Sequence, residues 1–216
     1  VAMGSPGAAL TIAADPYKWS GNGVFDFIIS DCVSSSIFRG TVTLASGVYS
    51  VSHSTGAGGD GNATANFPSS VLYDSKAMLM PLEWKYFYVA TRTGAKTPSL
   101  YMDSYNGNTP PSSQEIVSNV ENMLVHYGED TSTSTAPTMQ ADTWRTTAGA
   151  VADWSRVVAV RVGLMMVTSD ATAGIEVTQT TPTLLGQSYT VPTGTGNVIR
   201  KEFSTTIVLR NRVLPR

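Results

Sequence analysis

The sequence predicts a single α+β domain that is mostly β, built from antiparallel strands joined by long loops. Three observations carry that prediction. Runs of β-branched and aromatic residues recur at short spacing, clusters of Gly, Ser, Thr and Pro separate them, and helical periodicity is confined to one place. A chain of 216 residues is long enough for one sizeable core, and β-rich chains of this length often fold as one domain, here 1–216.

Residues 24–30 open the series with Val24, Phe25, Phe27, Ile28 and Ile29, and 36–44 follow with Ile37, Phe38, Val42 and Leu44. The run 78–80 is short and apolar, and 84–90 is dense in Trp84, Tyr86, Phe87 and Tyr88. Further strands are predicted over 100–105, 122–127, 157–168 and 203–209. The last is the clearest: Phe203, Thr205, Ile207 and Leu209 fall on one face and Ser204, Thr206, Val208 and Arg210 on the other, as in a sheet with one buried side. The one helical signal is Ser112 three residues before Glu115, a capping-box pattern, with Ile116, Val120, Met123 and Leu124 following at spacings of three and four. It predicts a short helix or turn running into a strand that ends at Tyr127. Residues 143–151 lack caps and read as loop. Three stretches, 46–66, 130–152 and 168–197, are poor in large apolar residues and read as long loops, the surface left for partners. Residues 1–23 read as an irregular N-terminal segment whose first five residues resemble a vector scar.

Composition excludes several functions. Charged residues make up 14% and the formal net charge is −2, which argues against general nucleic-acid affinity. Arg200, Lys201, Arg210, Arg212 and Arg216 crowd the C-terminal end, as solvated strand ends or as a docking patch for an acidic partner. Cys32 is the only cysteine, which rules out an internal disulfide and a Cys-based zinc site. It is either buried, or paired with a cysteine in a segment that precedes this sequence.

Candidate chemistry is sparse. Gly56, Gly58 and Gly61 satisfy the dinucleotide pattern, but no helix can open on Asn62-Ala63-Thr64-Ala65-Asn66-Phe67-Pro68, so a glycine loop is the better reading. Glu129 and Asp130, followed by serine and threonine, offer too few carboxylates for calcium, and Gly128 and Asp130 read as a turn at a strand end. His53, in a loop, and His126, at a strand end, show no hydrolase or zinc-protease spacing, and no cation lies beside Cys32 to lower its pKa. The reading is a protein with no catalytic residue, metal or cofactor. Asn62-Ala63-Thr64 is a glycosylation sequon by pattern alone. Trp154, Arg156 and Arg161 are residue types that dominate interfaces. Read as one strand, Trp154 and Arg156 share a face with Val158 and Val160, with Arg161 on the other, where it would pair with Glu202 or Glu121.

Three segments then carry a resemblance: Val125-His126-Tyr127-Gly128-Glu129-Asp130-Thr131, the Trp154-led strand reading V-x-V-R-V to Val162, and Phe203 to Arg210-Asn211-Arg212. In that order they resemble the PilW family of type IV pilus minor pilins. Ile28-Ile29-Ser30-Asp31-Cys32, and Lys85 to Val89 followed by Ser99 to Met102 as a hairpin ahead of Glu115 to Glu121, resemble it further. The resemblance implies a pilin-like sheet packed on a long N-terminal helix, and singles out Tyr127, Gly128, Asp130, Trp154, Arg156, Arg161, Arg210, Asn211 and Arg212 as motif or interface residues. No run of roughly 20 apolar residues is present to supply that helix, so the expectation is a sequence that starts downstream of it. The implied function is a minor pilin that joins other minor pilins and the major pilin in a tip complex priming pilus assembly, and supports adhesion, twitching motility and DNA uptake. A large tip adhesin would be a further partner, with the precursor held in the inner membrane and the mature subunit at the pilus tip. A pseudopilin of a type II secretion tip and a stand-alone β-rich adhesin or ligand-binding domain are the alternatives.

Overall fold

The computed structural model describes residues 3–12, 23–55, 61–67, 71–106, 112–133, 137–168, 181–193 and 198–209. The Arg210-Asn211-Arg212 motif, the first glycines of the 56–61 loop and much of 168–197 lie outside the described residues. Among the described residues fourteen strands run in chain order: β1 (Leu10–Ile12), β2 (Gly23–Ser30), β3 (Ser35–Ala45), β4 (Val48–Ser52), β5 (Met78–Pro81), β6 (Trp84–Ala90), β7 (Ser99–Tyr105), β8 (Ser112–Ser118), β9 (Val120–Glu129), β10 (Thr143–Arg145), β11 (Val157–Val167), β12 (Thr183–Leu184), β13 (Gln187–Ser188) and β14 (Arg200–Val208). The protein is mostly β, and the described residues contain no helix of seven or more residues. All eight predicted strands are present. The chain falls into two compact units, one of Val1–Tyr86 with Asp103–Ser113 and the other of Phe87–Met102 with Gln114–Arg216. A three-stranded sheet of order β6-β7-β8 contains the hairpin partners expected at 85–89 and 99–102.

The first unit is organised by a five-stranded sheet of order β1-β4-β3-β2-β5. Alternation along β2 turns Phe25, Phe27 and Ile29 to the core, and the antiparallel register sets Phe27 opposite Phe38 on β3, their rings stacked at 5.5 Å. Leu10, Val42, Val51, Leu79, Phe67 and Tyr73 complete the cluster. Tyr73 is fully buried and its hydroxyl meets Ser36 Oγ at 2.9 Å. The expected loop 46–66 is thus partly a strand, β4, because Val48, Tyr49 and Val51 are dense enough to pair with β3. His53, expected in a loop, is buried between the Phe38 and Phe67 rings, with both ring nitrogens within 2.9 Å of backbone carbonyls of Ala65 and Ala8. Asn62 takes the place of a strand beside β3: its Oδ1 accepts from the Arg39 N–H at 2.8 Å and its Nδ2 donates to the Arg39 carbonyl at 2.6 Å and that of Ser54 at 3.3 Å.

Of the two readings of Cys32, burial is the one the structure overturns. Cys32 is exposed in the β2–β3 turn, in the left-handed region with φ 70°. Asp31 holds that turn by accepting from the N–H groups of Val33 and Ser34 at 2.9 and 2.6 Å, and these bonds hold its carboxyl below the usual range.

The second unit contains a four-stranded antiparallel sheet of order β10-β9-β11-β14. The predicted capping box fails here. Residues 112–118 form strand β8, since the β-branched Ile116 and Val117 favour extended backbone and Asn119, at φ 61°, breaks the chain before β9 begins at Val120. The expected loop 130–152 contains β10 and a 3₁₀ turn at Ala148–Ala150, and 168–197 contains the β12–β13 hairpin. β14 forms where it is predicted, but the one buried side expected for it is absent, since both faces are exposed from Phe203 to Val208. Phe203 is 53% exposed and Ile207 51%, because β14 is an edge strand. No helix of the described residues is long and apolar enough to cross a membrane.

Candidate functional site

Of the residues singled out by sequence that the structure describes, Tyr127, Gly128, Asp130, Trp154 and Arg156 gather at one end of β9. Tyr127 and Gly128 lie within β9, which continues to Glu129 rather than ending at the glycine. A Cβ on Gly128 would lie 2.7 Å from the Ala141 side chain and 3.1 Å from the Trp144 ring, so only glycine lets β10 and its lead-in close over the strand. Trp154 and Arg156 do not extend β11. They form a 3₁₀ turn, Trp154–Arg156, started by Asp153, whose carboxylate accepts from the Ser155 N–H at 2.8 Å. The turn swings Trp154 against Tyr127, edge to face at 5.0 Å, and leaves it half exposed.

Asp130 is buried and accepts from the Ser132 hydroxyl, from the N–H groups of Ser132 at 3.0 Å and Met139 at 2.9 Å, and from Arg156 Nη2 at 3.4 Å. The turn read from sequence is present, with a cation added. Arg156 also donates to the Ser132 carbonyl. The Ser132 hydroxyl is the main reason that the Asp130 carboxyl stays far below its usual range, with the Met139 and Ser132 N–H groups and Arg156 adding to it against burial. Asp142, too far in sequence to assign, lies beside this loop and accepts from the Thr131 N–H at 3.1 Å. Glu129, also buried, accepts from Arg145 Nε at 2.7 Å and from the Asp153 N–H at 2.8 Å. The Arg145 bond is the chief cause of its lowered pKa. Sequence reasoning overlooked Arg145 and Trp144, because nothing in their spacing announces β10.

Arg161 pairs with neither acid proposed for it. Its guanidinium stacks 4.1 Å from the Trp144 ring and donates to Thr206 Oγ1 at 3.3 Å. Glu121 is taken by Arg200 through two bonds of 2.7 and 2.8 Å, with the Tyr189 hydroxyl donating to it at 3.0 Å, and Glu202 accepts from the Leu185 N–H. Burial, reinforced by Glu121, pushes the Tyr189 hydroxyl up to about 12. His126, inside β9 rather than at its end, is buried beside Gln187 at 3.1 Å, and burial lowers its pKa, with Arg161 adding to the effect.

These residues also sort the two faces of the sheet. On one, Arg161, Gly163 and Met165 lie beneath Trp144, Leu184, Leu185 and Tyr189. On the other, the register lines up Tyr127, Val160 and Ile207, then Val125, Val162 and Thr205, then Met123, Leu164 and Phe203. That face grows more exposed toward β14 and includes Trp154 at its other rim through Tyr127. A sheet with ion-paired loops and a partly exposed apolar face offers the kind of surface that suits assembly with other chains. Among the described residues no group of three or more His, Cys, Asp or Glu is arranged to hold a metal ion.

Comparison with known families agrees with that class. The family described as Type IV Pilus-assembly protein W, PilW, matches residues 86–211, more than half of the chain, and the chain belongs to that family. Membership gives it a role in type IV pilus assembly, hence an association with other assembly components and with the cell envelope or surface. PilW is a pilus-assembly family and not an enzyme family. No curated protein and no solved structure matches the chain.

Proposed function

We propose that the chain is a minor pilin that joins other minor pilins, and the major pilin below them, in a tip complex that primes pilus assembly. The observation that supports this most is the apolar face of the β9-β11-β14 sheet, where Phe203 and Ile207 remain about half exposed inside the family-matched region. Apolar surface of this kind on a sheet gains free energy when covered, at roughly 25 cal/mol per Å². The occupant we assign is the amphipathic half of a pilin helix, which presents a stripe of matching apolarity. Trp154, half exposed at the rim, is the contact residue we favour, while Arg156 and Arg161 act by holding the loop and the sheet. The Arg210-Asn211-Arg212 segment is proposed as a second contact. On this reading the whole of 1–216 works as one pilin-like subunit, presented from the inner membrane and then at the pilus tip, where it can hold a large adhesin. Adhesion, twitching motility and DNA uptake would depend on it through the filament it starts.

The test is co-purification with the globular domains and helices of minor pilins encoded beside it, followed by calorimetry. Ile207→Asp, Trp154→Ala and Arg210→Ala are each expected to weaken assembly by about tenfold or more, roughly 1.4 kcal/mol each. Undiminished assembly by Ile207→Asp, with the fold intact by circular dichroism, would remove the sheet face from the interface.

A further inference from the structure

The outer side of the five-stranded sheet in the first unit carries an open cleft of about 460 Å³ that the pilus role does not use. We propose that it is a binding site for a neutral saccharide chain. Asp26 and Arg39 are register partners on β2 and β3, on the side opposite Phe27 and Phe38, and form its floor. Arg39 Nε donates to Asp26 Oδ1 at 2.8 Å and Nη2 to Oδ2 at 3.3 Å, so the two charges cancel within the site. Trp84 Nε1 donates to Asp26 Oδ2 at 2.9 Å, which fixes the indole at the cleft wall while 41% of the residue stays exposed. Tyr86, two residues along β6 and so on the same face, is 54% exposed, and Tyr105 closes the site with its hydroxyl 3.4 Å from Arg39 Nη2. Asn62 lines the other side.

The ligand class follows from that combination. Exposed aromatic rings held in place by a polar partner offer flat apolar surface together with hydrogen-bonding edges. A pyranose ring has the complementary character, since its axial C–H groups form an apolar face and its hydroxyls both donate and accept around the rim. Asp26 and Arg39 supply both roles at the floor, with lone pairs on one and N–H groups on the other. An anionic ligand would meet the Asp26 carboxylate and a cationic one the Arg39 guanidinium, so neither is favoured. A purely apolar segment would bury this ion pair without replacing its contacts with water, at a net penalty. A smaller hollow of about 210 Å³ shares Asn62 and Ala63 with the rim of the cleft. The volume of the cleft falls in the range of about 300–1,000 Å³ typical of ligand sites, and its open form lets a chain lie across rather than inside.

The experiment titrates the purified chain with neutral oligosaccharides, following tryptophan fluorescence and saturation-transfer NMR. Chitin and β-glucan oligomers stand for wall and matrix polymers, lactose and other galactose-ended glycans for animal cell surfaces, and sialyllactose is the anionic control. At least one neutral probe is expected to bind in the micromolar to millimolar range, and which set binds identifies the source. Trp84→Ala and Tyr86→Ser are each expected to weaken that probe about tenfold or more, and Trp154→Ala to leave it unchanged. Tyr86→Ser keeps the test decisive should loss of the Trp84–Asp26 bond disturb the fold. Binding by none of the neutral probes, binding that survives in the Tyr86→Ser protein, or binding of sialyllactose alone would each overturn the proposal. Loss of pilin assembly in Ile207→Asp would not affect it, because the two surfaces share no residue.

Discussion

In the first unit the hydrophobic cluster takes in Phe25, Phe27, Phe38 and Phe67 with seven or more aliphatic and tyrosine neighbours, and its buried polar side chains are few. In the second, the cluster of the four-stranded sheet among the described residues is Met165, Leu184 and Tyr189, with Leu124 against them, while two buried carboxylates, Glu129 and Asp130, and the Glu121–Arg200 pair fix the geometry. Burying hydrocarbon is strong but non-directional, whereas a buried ion pair adds little net stability and tolerates only one arrangement. The first unit is therefore held mainly by what it hides. The second also buries apolar residues, among them Val120, Val157 and Val158, but adds three ion pairs on buried carboxylates that fix where its loops meet the sheet.

The largest effect that would break this contrast is expected at Phe27. Phe27→Ala should cost about 3–5 kcal/mol by removing a fully buried ring, measured by chemical denaturation with native tyrosine and tryptophan signals. Arg200→Ala should cost about 3–5 kcal/mol, toward the lower end, because Glu121 would stay buried without its cation; Arg200→Met with Glu121→Leu should recover most of it. A larger loss from Arg200→Ala than from Phe27→Ala would reverse the comparison. Gly128→Ala should cost about 1–3 kcal/mol through the clash with Ala141 and Trp144, and should be felt as faster amide exchange in β10.

Acid sharpens the comparison further. The pKa values of Asp130 and Glu129 are lowered in the fold, so their contribution is present above the ordinary carboxylate values of about 4 and is lost as pH falls below them. His126, whose pKa is also lowered, contributes stability above about 6.5 that is lost as pH falls. Amide protection, corrected for the intrinsic exchange rate at each pH, should therefore fall in residues 126–133 and 137–156 on acidification before it falls in β2 and β3. The smallest expected effect is at Phe203, where Phe203→Ser should change stability by within about 0.5 kcal/mol, yet remove part of the proposed assembly face. A large destabilisation there would mean that the face is part of the fold's own core.

The same contrast explains what was legible in the sequence. Strands of the first unit announce themselves because Phe25, Phe27, Ile29 and Phe38 alternate with polar or smaller residues, and the core follows from the pleat. The site around β9 was half legible. Tyr127, Gly128, Asp130, Trp154 and Arg156 were singled out by resemblance to a family motif, with nothing in the sequence to bring them together in space, and Arg145 and Trp144, which complete the arrangement, sit in a stretch whose three-residue strand leaves no periodic signal. The partner of Arg161 was misread because a guanidinium satisfies itself on an aromatic face as readily as on a carboxylate, and sequence favours the acid. Ser112 and Glu115 mimicked a helix start where Ile116 and Val117 impose extended backbone, and local pattern gave way to pairing.

One amide closes a stretch of sheet edge in the first unit. Beyond the end of its pairing with β4, β3 would offer a free rung at Arg39, and a free rung is where a strand from another molecule adds. Asn62 fills that rung with its side-chain oxygen and nitrogen. A carboxamide committed to the backbone in this way is a poor acceptor for a glycan despite its sequon, and it closes the edge to a passing chain. Growth by strand capture, the route that ends in fibrils, is thereby discouraged at this point of the first unit.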